Sequence, residues 1–289
     1  HEGMVLDEKE TIFGLRTVEL DRTGNGFTLL INGVPVFIRG SVWTPMSMFP
    51  GRADDDATRA VLDMAANANV NLLRVWGGGS YESEAFYRRC DELGILVWQD
   101  FMFTSAEYPD QGDLWKSMQR EAKTHVRRLR NHPCVVLWCG GDGIELFHHR
   151  NDLAWEGTSG EAIFDRLLPH VVREYDPARP YWRSSPSGGH QPNTEETGDH
   201  HFATAWEDWE GEETSTKAFV LKASARARFV SEFGLQGMPG EATVAMFTQR
   251  RERSLNGPDF DAHQKHPDGN AALFSSLVAK CRPPESFEE

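Results

Sequence analysis

Residues 72–100 read LLRVWGGGSYESEAFYRRCDELGILVWQD and contain a strand, a helix and a second strand in direct succession. An apolar run at 72–76 leads into three glycines, a helical pattern follows at 82–93, and Gly94 precedes another apolar run at 96–101. Short apolar strands that alternate with amphipathic helices are typical of parallel βα units. The stretch therefore predicts an α/β fold with a parallel sheet.

The same alternation extends in both directions from this stretch. Apolar runs predict strands at residues 36–42, 72–76, 96–101, 134–139, 181–185, 200–204 and 228–233, and helical patterns predict helices at 54–68, 82–93, 114–129 and 162–174. This order predicts a TIM (β/α)8-type barrel at residues 27–289, whose eighth strand, at the C-terminal end, we expect to be absent from the chain. The Asn32-Gly33 pair between two apolar runs predicts a β-hairpin near the start of this domain.

Composition and charge exclude several classes of function. The chain has 289 residues, of which 39% are hydrophobic, enough for one large folded core. A net charge of -14 without a basic stripe argues against nucleic acid and anionic membranes as partners, and no apolar run is long enough for a membrane-spanning helix. Four cysteines without CxxC spacing predict buried thiols. They favour a reducing, cytoplasmic compartment, although the sequence leaves the localisation open.

The active site of such a barrel lies at the C-terminal ends of its strands. Polar and aromatic side chains end several of the predicted strands, and these are Arg74, Trp76, Asp100, Trp138, Asp142, His201 and Glu232. Arg74 could form an ion pair inside the barrel, with Glu232 as its partner. The two tryptophans could be core packing, His201 a loop histidine, and Asp100 the cap of a following helix, which is the interpretation that we favour for Asp100.

Glu232 is the sharpest of these candidates. It ends the apolar run at 228–230 and precedes Phe233-Gly234, so its carboxylate lies at the rim of the predicted barrel. Retaining glycosidases need two carboxyl groups about 5 to 5.5 Å apart, one that attacks the anomeric carbon and one that gives and then removes a proton. Glu232 would supply the first. The histidine pairs of the sequence lack the spacing of a closed metal site, so no metal and no organic cofactor is predicted.

Six motifs in order resemble the β-mannosidase branch of glycoside hydrolase family 2, from about residue 13 to about residue 270. They are Asn32 to Gly40, Leu73 to Gly79, Cys90 to Phe103, Arg130 to Pro133, Ser184 to Gly189 and Ser231 to Gly234. The resemblance implies that Glu232 is the nucleophile and that Arg74 and Trp76 line the sugar subsite. We also expect Trp43, Trp138 and His201 to bind the substrate. It also implies that residues 1–26 are the end of a preceding immunoglobulin-like β-sandwich and its linker.

The sequence departs from the family pattern where the acid/base residue is expected. After Trp138 the family has an Asn-Glu pair, and here Asp142 and Gly143 occupy these two places. Three readings stay open: Asp142 acts as the acid, as in related exo-β-glucosaminidases; Glu145, two residues farther on, takes the role; or the activity is impaired or lost. If the chain from Gly143 to Glu145 were extended, Glu145 would lie about 6 to 7 Å too far along.

Other departures concern the sugar. Ser47 stands where the family tends to have an acidic residue, and Ala203 and Glu207 stand where it tends to have tryptophan and histidine, so the specificity for mannose stays open. The predicted function is a β-mannosidase-like retaining glycoside hydrolase that acts on a small carbohydrate. The alternatives are an exo-β-glucosaminidase-like enzyme and a non-catalytic carbohydrate-binding or vestigial barrel. An incomplete barrel would expose two sheet edges, which predicts self-association.

Overall fold

The computed structural model describes residues 7–52, 54–189, 191–202, 227–234, 239–248, 257–265, 269–271 and 273. The chain divides into two compact units, the first containing residues 1–201 and 223–232 and the second containing residues 202–222 and 233–289. None of the described helices combines the length and the apolar character that a membrane crossing needs. Three of the cysteines, Cys90, Cys134 and Cys139, are buried free thiols, and Cys281 lies outside the described residues.

The first unit begins with a small antiparallel sheet of three strands. Strand β1 (Val18–Asp21) pairs with β2 (Thr28–Ile31), and β2 pairs with β3 (Val34–Pro35). The predicted hairpin at Asn32-Gly33 is confirmed, because both residues have positive φ, as a two-residue turn of this kind requires. The predicted domain boundary after residue 26 stays a prediction, and in the structure β1 and β2 pair across it.

Five parallel strands form the main sheet, and this confirms the predicted α/β fold. They lie in chain order as β4 (Gly40–Trp43), β5 (Leu72–Val75), β6 (Leu96–Asp100), β7 (Val135–Cys139) and β8 (Tyr181–Trp182). The two remaining predicted strands are β9 (His200–Phe202) and β10 (Val230–Phe233), which pair with each other. Residues 203 and 204 of the predicted strand at 200–204 lie outside the described residues.

Helices connect the parallel strands, as the sequence predicts. They are α1 (Asp55–Asn67), α2 (Glu84–Leu93), α3 (Gly112–Leu129), α4 (Ile144–Arg150) and α5 (Leu168–Tyr175), the last preceded by a π-helical segment, Glu161–Leu167. Asp54 caps the first turn of α1 by accepting the Asp56 amide, and Gly94 ends α2 in the left-handed conformation. Helix α4 was not predicted. The second unit contains α6 (Glu241–Phe247) and α7 (Pro258–His263), whose Phe247 and His263 rings stack at 4.1 Å.

The two faces of the main sheet have different partners because neighbouring side chains on a strand point to opposite sides. One face packs against the helices and is apolar. The other face carries Arg74, Trp98 and Asp100, and beneath them Phe27 from the N-terminal sheet stacks on Trp98 with ring centroids 5.7 Å apart. The pairing of β6 with β7 shifts by one residue between Val97 and Trp98: Val97 pairs with Val135, and Trp98 pairs with Leu137.

Candidate active site

Arg74 lies at the centre of a buried charge cluster on the inner face of the sheet. Its side chain is 2% exposed, and every nitrogen of its guanidinium has a carboxylate acceptor. Nη1 donates to Glu232 Oε1 at 2.8 Å, Nη2 donates to Asp142 Oδ1 at 3.0 Å and to Asp100 Oδ2 at 2.9 Å, and Nε donates to Asp100 Oδ2 at 3.2 Å. The cluster therefore contains three carboxyl groups and one guanidinium, and the pairing of Arg74 with Glu232 that the sequence suggested is present.

The preferred interpretation of Asp100 as a helix cap is wrong. Helix α3 begins only at Gly112, after a loop, and the Asp100 carboxylate turns inward instead. It is fully buried and accepts hydrogen bonds from Arg74, from the Trp98 indole at 2.9 Å and from the Gly77 amide at 3.1 Å. Burial raises the pKa of Asp100, and the charge of Arg74 opposes that rise. Asp100 is thus the anchor of Arg74.

His201 lies on the other side of Arg74, and its tautomer follows from its neighbours. Its Nε2 is 3.3 Å from Arg74 Nη1, and because a guanidinium can only donate, Nε2 accepts that hydrogen bond. Burial and the nearby Arg74 lower the pKa of His201 to about 3, so the ring is neutral and its proton is on Nδ1. Nδ1 is 3.4 Å from Glu232 Oε2. His201 therefore directs a weak donor at Glu232.

Asp142 and Glu232 form a coupled pair that holds one proton near neutral pH. Burial, opposed by Arg74 and reinforced by Asp142, raises the pKa of Glu232 to about 8. Burial alone would raise the pKa of Asp142, but the nearby Arg74, His201 and Trp76 outweigh it, so this pKa is lowered from its usual value. Thr104 also donates to Asp142 Oδ2 at 3.2 Å. The shared proton consequently lies on Glu232, the candidate nucleophile, and not on Asp142, the candidate acid.

Gly143 occupies the place of the expected acid/base residue, and its backbone suits glycine. It has φ 64° and ψ 11°, in the left-handed region, directly before α4 begins at Ile144. A Cβ atom at this position would lie 2.4 Å from Ser105 Oγ. The extended geometry assumed for Glu145 is wrong because the chain is already helical there. The Glu145 carboxylate instead pairs with Arg183 at 2.5 Å.

The three tryptophans predicted to contact sugar have different surroundings. Trp138 is fully buried on the helix side of the sheet, where its indole donates to Asp176 at 2.8 Å, and Trp43 is also on that side, donating to Glu82 at 2.9 Å. Both pack in the apolar core, so the structure separates them from Arg74. Trp76 is partly exposed, and its side chain is near enough to Asp142 to lower the pKa of that carboxyl, so it lies at the site.

Of Ser47, Ala203 and Glu207, the three departures that concern the sugar, only Ser47 is described. It is half-buried, and its hydroxyl accepts the Phe49 amide at 3.1 Å. Ala203 and Glu207 lie outside the described residues.

Three residues that were not predicted from the sequence also contact the site or its neighbours: Thr104, Ser185 and Asp199. Ser185 Oγ lies 3.0 Å from His201 Nε2 and 2.6 Å from Asp199 Oδ2. Thr104 follows the predicted strand at 96–101, as Asp142 follows the one at 134–139, and Ser185 is the last residue of the predicted strand at 181–185. A place at or just after the end of a parallel strand was therefore the only sequence signal for Thr104 and Ser185. This signal does not distinguish site residues from other residues of the same loops.

Two groups of side chains in the described part of the chain could place three ligand atoms around a metal ion. In the first, Asp142, His201 and Glu232 have ligand atoms within 4.8 Å of one another, but all three accept hydrogen bonds from Arg74, so a cation would meet a buried guanidinium. In the second, Asp91 already contacts His132 Nδ1 at 2.7 Å and the Cys134 amide at 2.8 Å, and burial raises the pKa of the Cys134 thiol. Both groups therefore favour hydrogen-bonded networks over metal binding.

Known proteins are similar to this chain in sequence and in fold over nearly its whole length. The chain is 33% identical over 294 residues to β-mannosidase B of Aspergillus clavatus, which covers 96% of the chain and 34% of that protein. It is 34% identical over 300 residues to β-mannosidase of Rattus norvegicus, which covers 95% of the chain and 33% of that protein. The crystal structure of β-D-mannosidase from Dictyoglomus thermophilum matches with a TM-score of 0.87 and 40% identity, covering 99% of this chain and 35% of that one.

No family model matches the chain. The chain spans about a third of the length of the curated relatives that it matches. The length of the alignments, together with the ordered motifs and the fold, identifies this sequence as a member of the β-mannosidase-like branch of glycoside hydrolase family 2.

Proposed function

We propose that this chain carries the catalytic site of a retaining, β-mannosidase-like glycoside hydrolase, with Glu232 as the nucleophile. One observation carries the proposal: the carboxyl groups of Glu232 and Asp142 converge on one buried guanidinium, with an oxygen of each within 4.8 Å of the other. A double displacement uses two carboxyl groups about 5 to 5.5 Å apart, and the 4.8 Å limit places Asp142 at that distance from Glu232 or nearer. The proposed substrate is a non-reducing β-linked sugar, with a β-mannoside as the first choice.

Glu232 has the contacts that a nucleophile needs. Its side chain is 31% exposed, so one edge is open to a ligand, while Arg74 and His201 orient its two oxygens. In the first step a Glu232 oxygen forms a bond to the anomeric carbon as the bond to the leaving oxygen breaks. Glu232 must be ionised for this step, so the proton that it holds at neutral pH must first leave.

We further propose that Asp142 receives this proton and passes it to the leaving oxygen. Arg74, Thr104 and Trp76 all stabilise the ionised form of Asp142, so it is a poor acid in the free protein. Turnover of substrates with poor leaving groups should therefore be slow, by up to about 10² to 10⁴ relative to an enzyme with a well-tuned acid. Glu145 is a weaker choice for this role because Arg183 holds its carboxylate in an ion pair.

The second candidate is a carbohydrate-binding or vestigial barrel that performs no turnover. It is favoured by Gly143, which has no proton to give, and by the donors that keep Asp142 ionised. An exo-β-glucosaminidase-like activity that uses Asp142 is the alternative within the enzyme class.

A (β/α)8-type barrel is our proposal for the fold. Support comes from the five parallel strands, the helices between them and the match to the bacterial β-D-mannosidase. The absence of an eighth strand and the self-association of the protein stay predictions. Sedimentation would test the second, because a stable compact monomer would contradict it.

Hydrolysis of matched aryl glycosides tests the proposed function. Dinitrophenyl and phenyl β-mannosides, β-glucosaminides and β-galactosides would be compared with and without azide. Turnover of dinitrophenyl β-mannoside, accelerated by azide, supports Glu232 as a working nucleophile with a weak acid partner, because a good leaving group needs no proton. Sugar binding in a titration without any turnover would support the binding module instead, and preference for the glucosaminide would support the alternative enzyme.

A further inference from the structure

Asp199 is a fully buried carboxylate outside the Arg74 cluster, and the proposed reaction does not use it. Among the described carboxylates outside this cluster and without a role in that reaction, it accepts the most hydrogen bonds. It precedes β9, and its oxygens accept four hydrogen bonds from neutral donors. Oδ1 accepts the Trp182 indole at 2.7 Å and the Ser187 amide at 3.0 Å, and Oδ2 accepts the Ser185 hydroxyl at 2.6 Å and the Ser231 hydroxyl at 2.5 Å. Such a set of donors can hold a buried anion in one orientation.

These donors come from two parts of the chain that end at the active site. Trp182, Ser185 and Ser187 belong to β8 and the segment that follows it, whereas Ser231 belongs to β10. Asp199 is therefore a link between two strand ends that do not pair with each other in the described sheets.

Each serine that holds Asp199 also has a neighbour in the active site. Ser231 directly precedes Glu232, and because adjacent side chains on a strand point to opposite sides, fixing Ser231 from behind fixes the direction of Glu232. Ser185 Oγ, on the other arm, gives its single proton to Asp199 and lies 3.0 Å from His201 Nε2 in packing contact, without a hydrogen bond between the two. His201 in turn contacts Glu232.

We propose that Asp199 is a positioning residue for the nucleophile: its carboxylate ties Ser231 and Ser185 together and so fixes Glu232 and His201 relative to Arg74. The inference rests on the proposed role of Glu232. Asp199 touches none of the atoms that would react, so it acts only through the two serines. A displacement of about 1 Å at a reacting group can cost about a hundredfold in rate, which gives the expected size of the effect.

The test uses variants that remove or keep single contacts. Ser231→Ala and Asp199→Asn weaken the link, and Ser231→Thr keeps a hydroxyl at the same place. Ser184→Ala is the matched control, because Ser184 is buried beside Ser185 but its hydroxyl accepts the Glu145 amide instead of bonding Asp199.

The measured quantity is the limiting rate of covalent labelling of Glu232 by dinitrophenyl 2-deoxy-2-fluoro-β-mannoside, well below each variant's melting temperature. This reagent needs no acid partner. Ser231→Ala and Asp199→Asn should lower the limiting rate about ten- to a hundredfold with little change in the concentration for half-saturation, and Ser231→Thr should recover it. Ser184→Ala should label at the wild-type rate. Wild-type rates in both weakened variants, or an equal loss in Ser184→Ala, would overturn the proposal.

A second measurement needs neither labelling nor turnover. The Glu232 carboxyl, which faces Arg74, Asp142, Asp100 and His201, titrates near pH 8 when it is held in this position, and carbon-13 NMR of labelled glutamate follows it. Loosening β10 gives Glu232 more water and moves its midpoint towards the usual range. If the wild type is never labelled, the nucleophile proposal fails, and the titration alone decides on Asp199: an unchanged midpoint in Ser231→Ala overturns its positioning role. Ser231→Ala also carries the test if Asp199→Asn does not fold.

Discussion

The ends of strands β10 and β7 meet at Arg74, yet they carry carboxyl groups of opposite character. At β10, burial and the neighbouring Asp142 raise the pKa of Glu232 to about 8. Just beyond β7, Arg74, Thr104 and Trp76 hold Asp142 as an anion, and Gly143 leaves the next position without a carboxyl group. The difference teaches that one guanidinium cannot neutralise three carboxyl groups, so the group with fewer donors keeps the proton.

The largest effect is expected when Arg74 is removed, because that abolishes the cation that both strand ends share. Arg74→Met leaves buried carboxyl groups without compensation and should lower the free energy of unfolding by about 3 to 5 kcal/mol in urea denaturation at pH 7. The control is Arg89→Met, which removes exposed pairs with Asp63 and Glu92 and should cost at most about 1 kcal/mol. If both variants lost the same small amount of unfolding free energy, Arg74 would not be the cation that stabilises the buried carboxyl groups.

Removing the negative charge of Asp142 should lower the raised pKa of Glu232. Since Asp142 helps to raise the pKa of Glu232, Asp142→Asn should lower it from about 8, and Glu232 would then be ionised at lower pH. The pH profile of dinitrophenyl β-mannoside hydrolysis should move with it, and each pH unit of displacement raises the rate at pH 6 about tenfold. Thr104→Val, which removes one donor to Asp142 but no charge, is the control. An unmoved profile in Asp142→Asn would show that the two groups are not coupled.

Hydrolysis of the phenyl β-mannoside by the same Asp142→Asn variant separates the two readings of Asp142. If Asp142 delivers the proton, this activity should fall further while the dinitrophenyl activity persists, because only the poor leaving group needs an acid. A parallel change for both substrates would show that Asp142 does not act as the acid.

The raised pKa of Glu232 should also make the stability of the protein depend on pH. A carboxyl whose pKa is higher in the folded state than in the unfolded chain makes the protein less stable as pH rises from the usual value of 4.5 through about 8. Glu232→Gln should therefore flatten the decline of unfolding free energy in this window, as measured by urea denaturation at several pH values. Glu161→Gln, which removes a half-buried carboxyl whose pKa the Gly157 amide and Arg166 lower, should leave the decline between pH 4.5 and 8 unchanged. The same decline in wild type and Glu232→Gln would show that Glu232 has an ordinary pKa.

The smallest effect is expected at Gly143. Gly143→Ala forces a Cβ atom into the left-handed region and against Ser105 Oγ, which should cost about 1 to 2 kcal/mol of stability. Gly143→Glu should show the same cost, and Ser105→Gly in the same chain should recover part of it. If the Gly143→Glu, Ser105→Gly double variant also hydrolyses phenyl β-mannoside faster, the missing carboxyl limits the rate. If the Gly143→Ala variant were as stable as the wild type, a Cβ atom at this position would not be strained.

The order of the secondary structure could be predicted from the sequence because its signals are local. Glycine at 94 ends one helix, an Asn-Gly pair closes one hairpin, and apolar runs mark the parallel strands. The short helix α4 was missed because it occupies only Ile144–Arg150, directly after a polar strand end.

The assignment of residues to the site was harder because it depends on which face of each strand looks inward. A parallel strand buried on both sides is apolar throughout, so its sequence does not tell the two faces apart. Trp138 was placed at the sugar for this reason, whereas Arg74, His201, Asp142 and Glu232 are brought together as predicted. Asp100 and Asp199 gain their roles from contacts with residues distant in sequence, and no local pattern reports such contacts.

Trapping the covalent intermediate tests the account most directly. The protein would be treated with dinitrophenyl 2-deoxy-2-fluoro-β-mannoside, digested and sequenced by mass spectrometry, with Glu232→Gln as the control. We expect one added fluorosugar, on Glu232, in the wild type and none in the variant, because attack by a Glu232 oxygen forms an ester that the fluorine slows from hydrolysing. A fluorosugar on Asp142, or equal labelling of the Glu232→Gln variant, would contradict the assignment of Glu232 as the nucleophile.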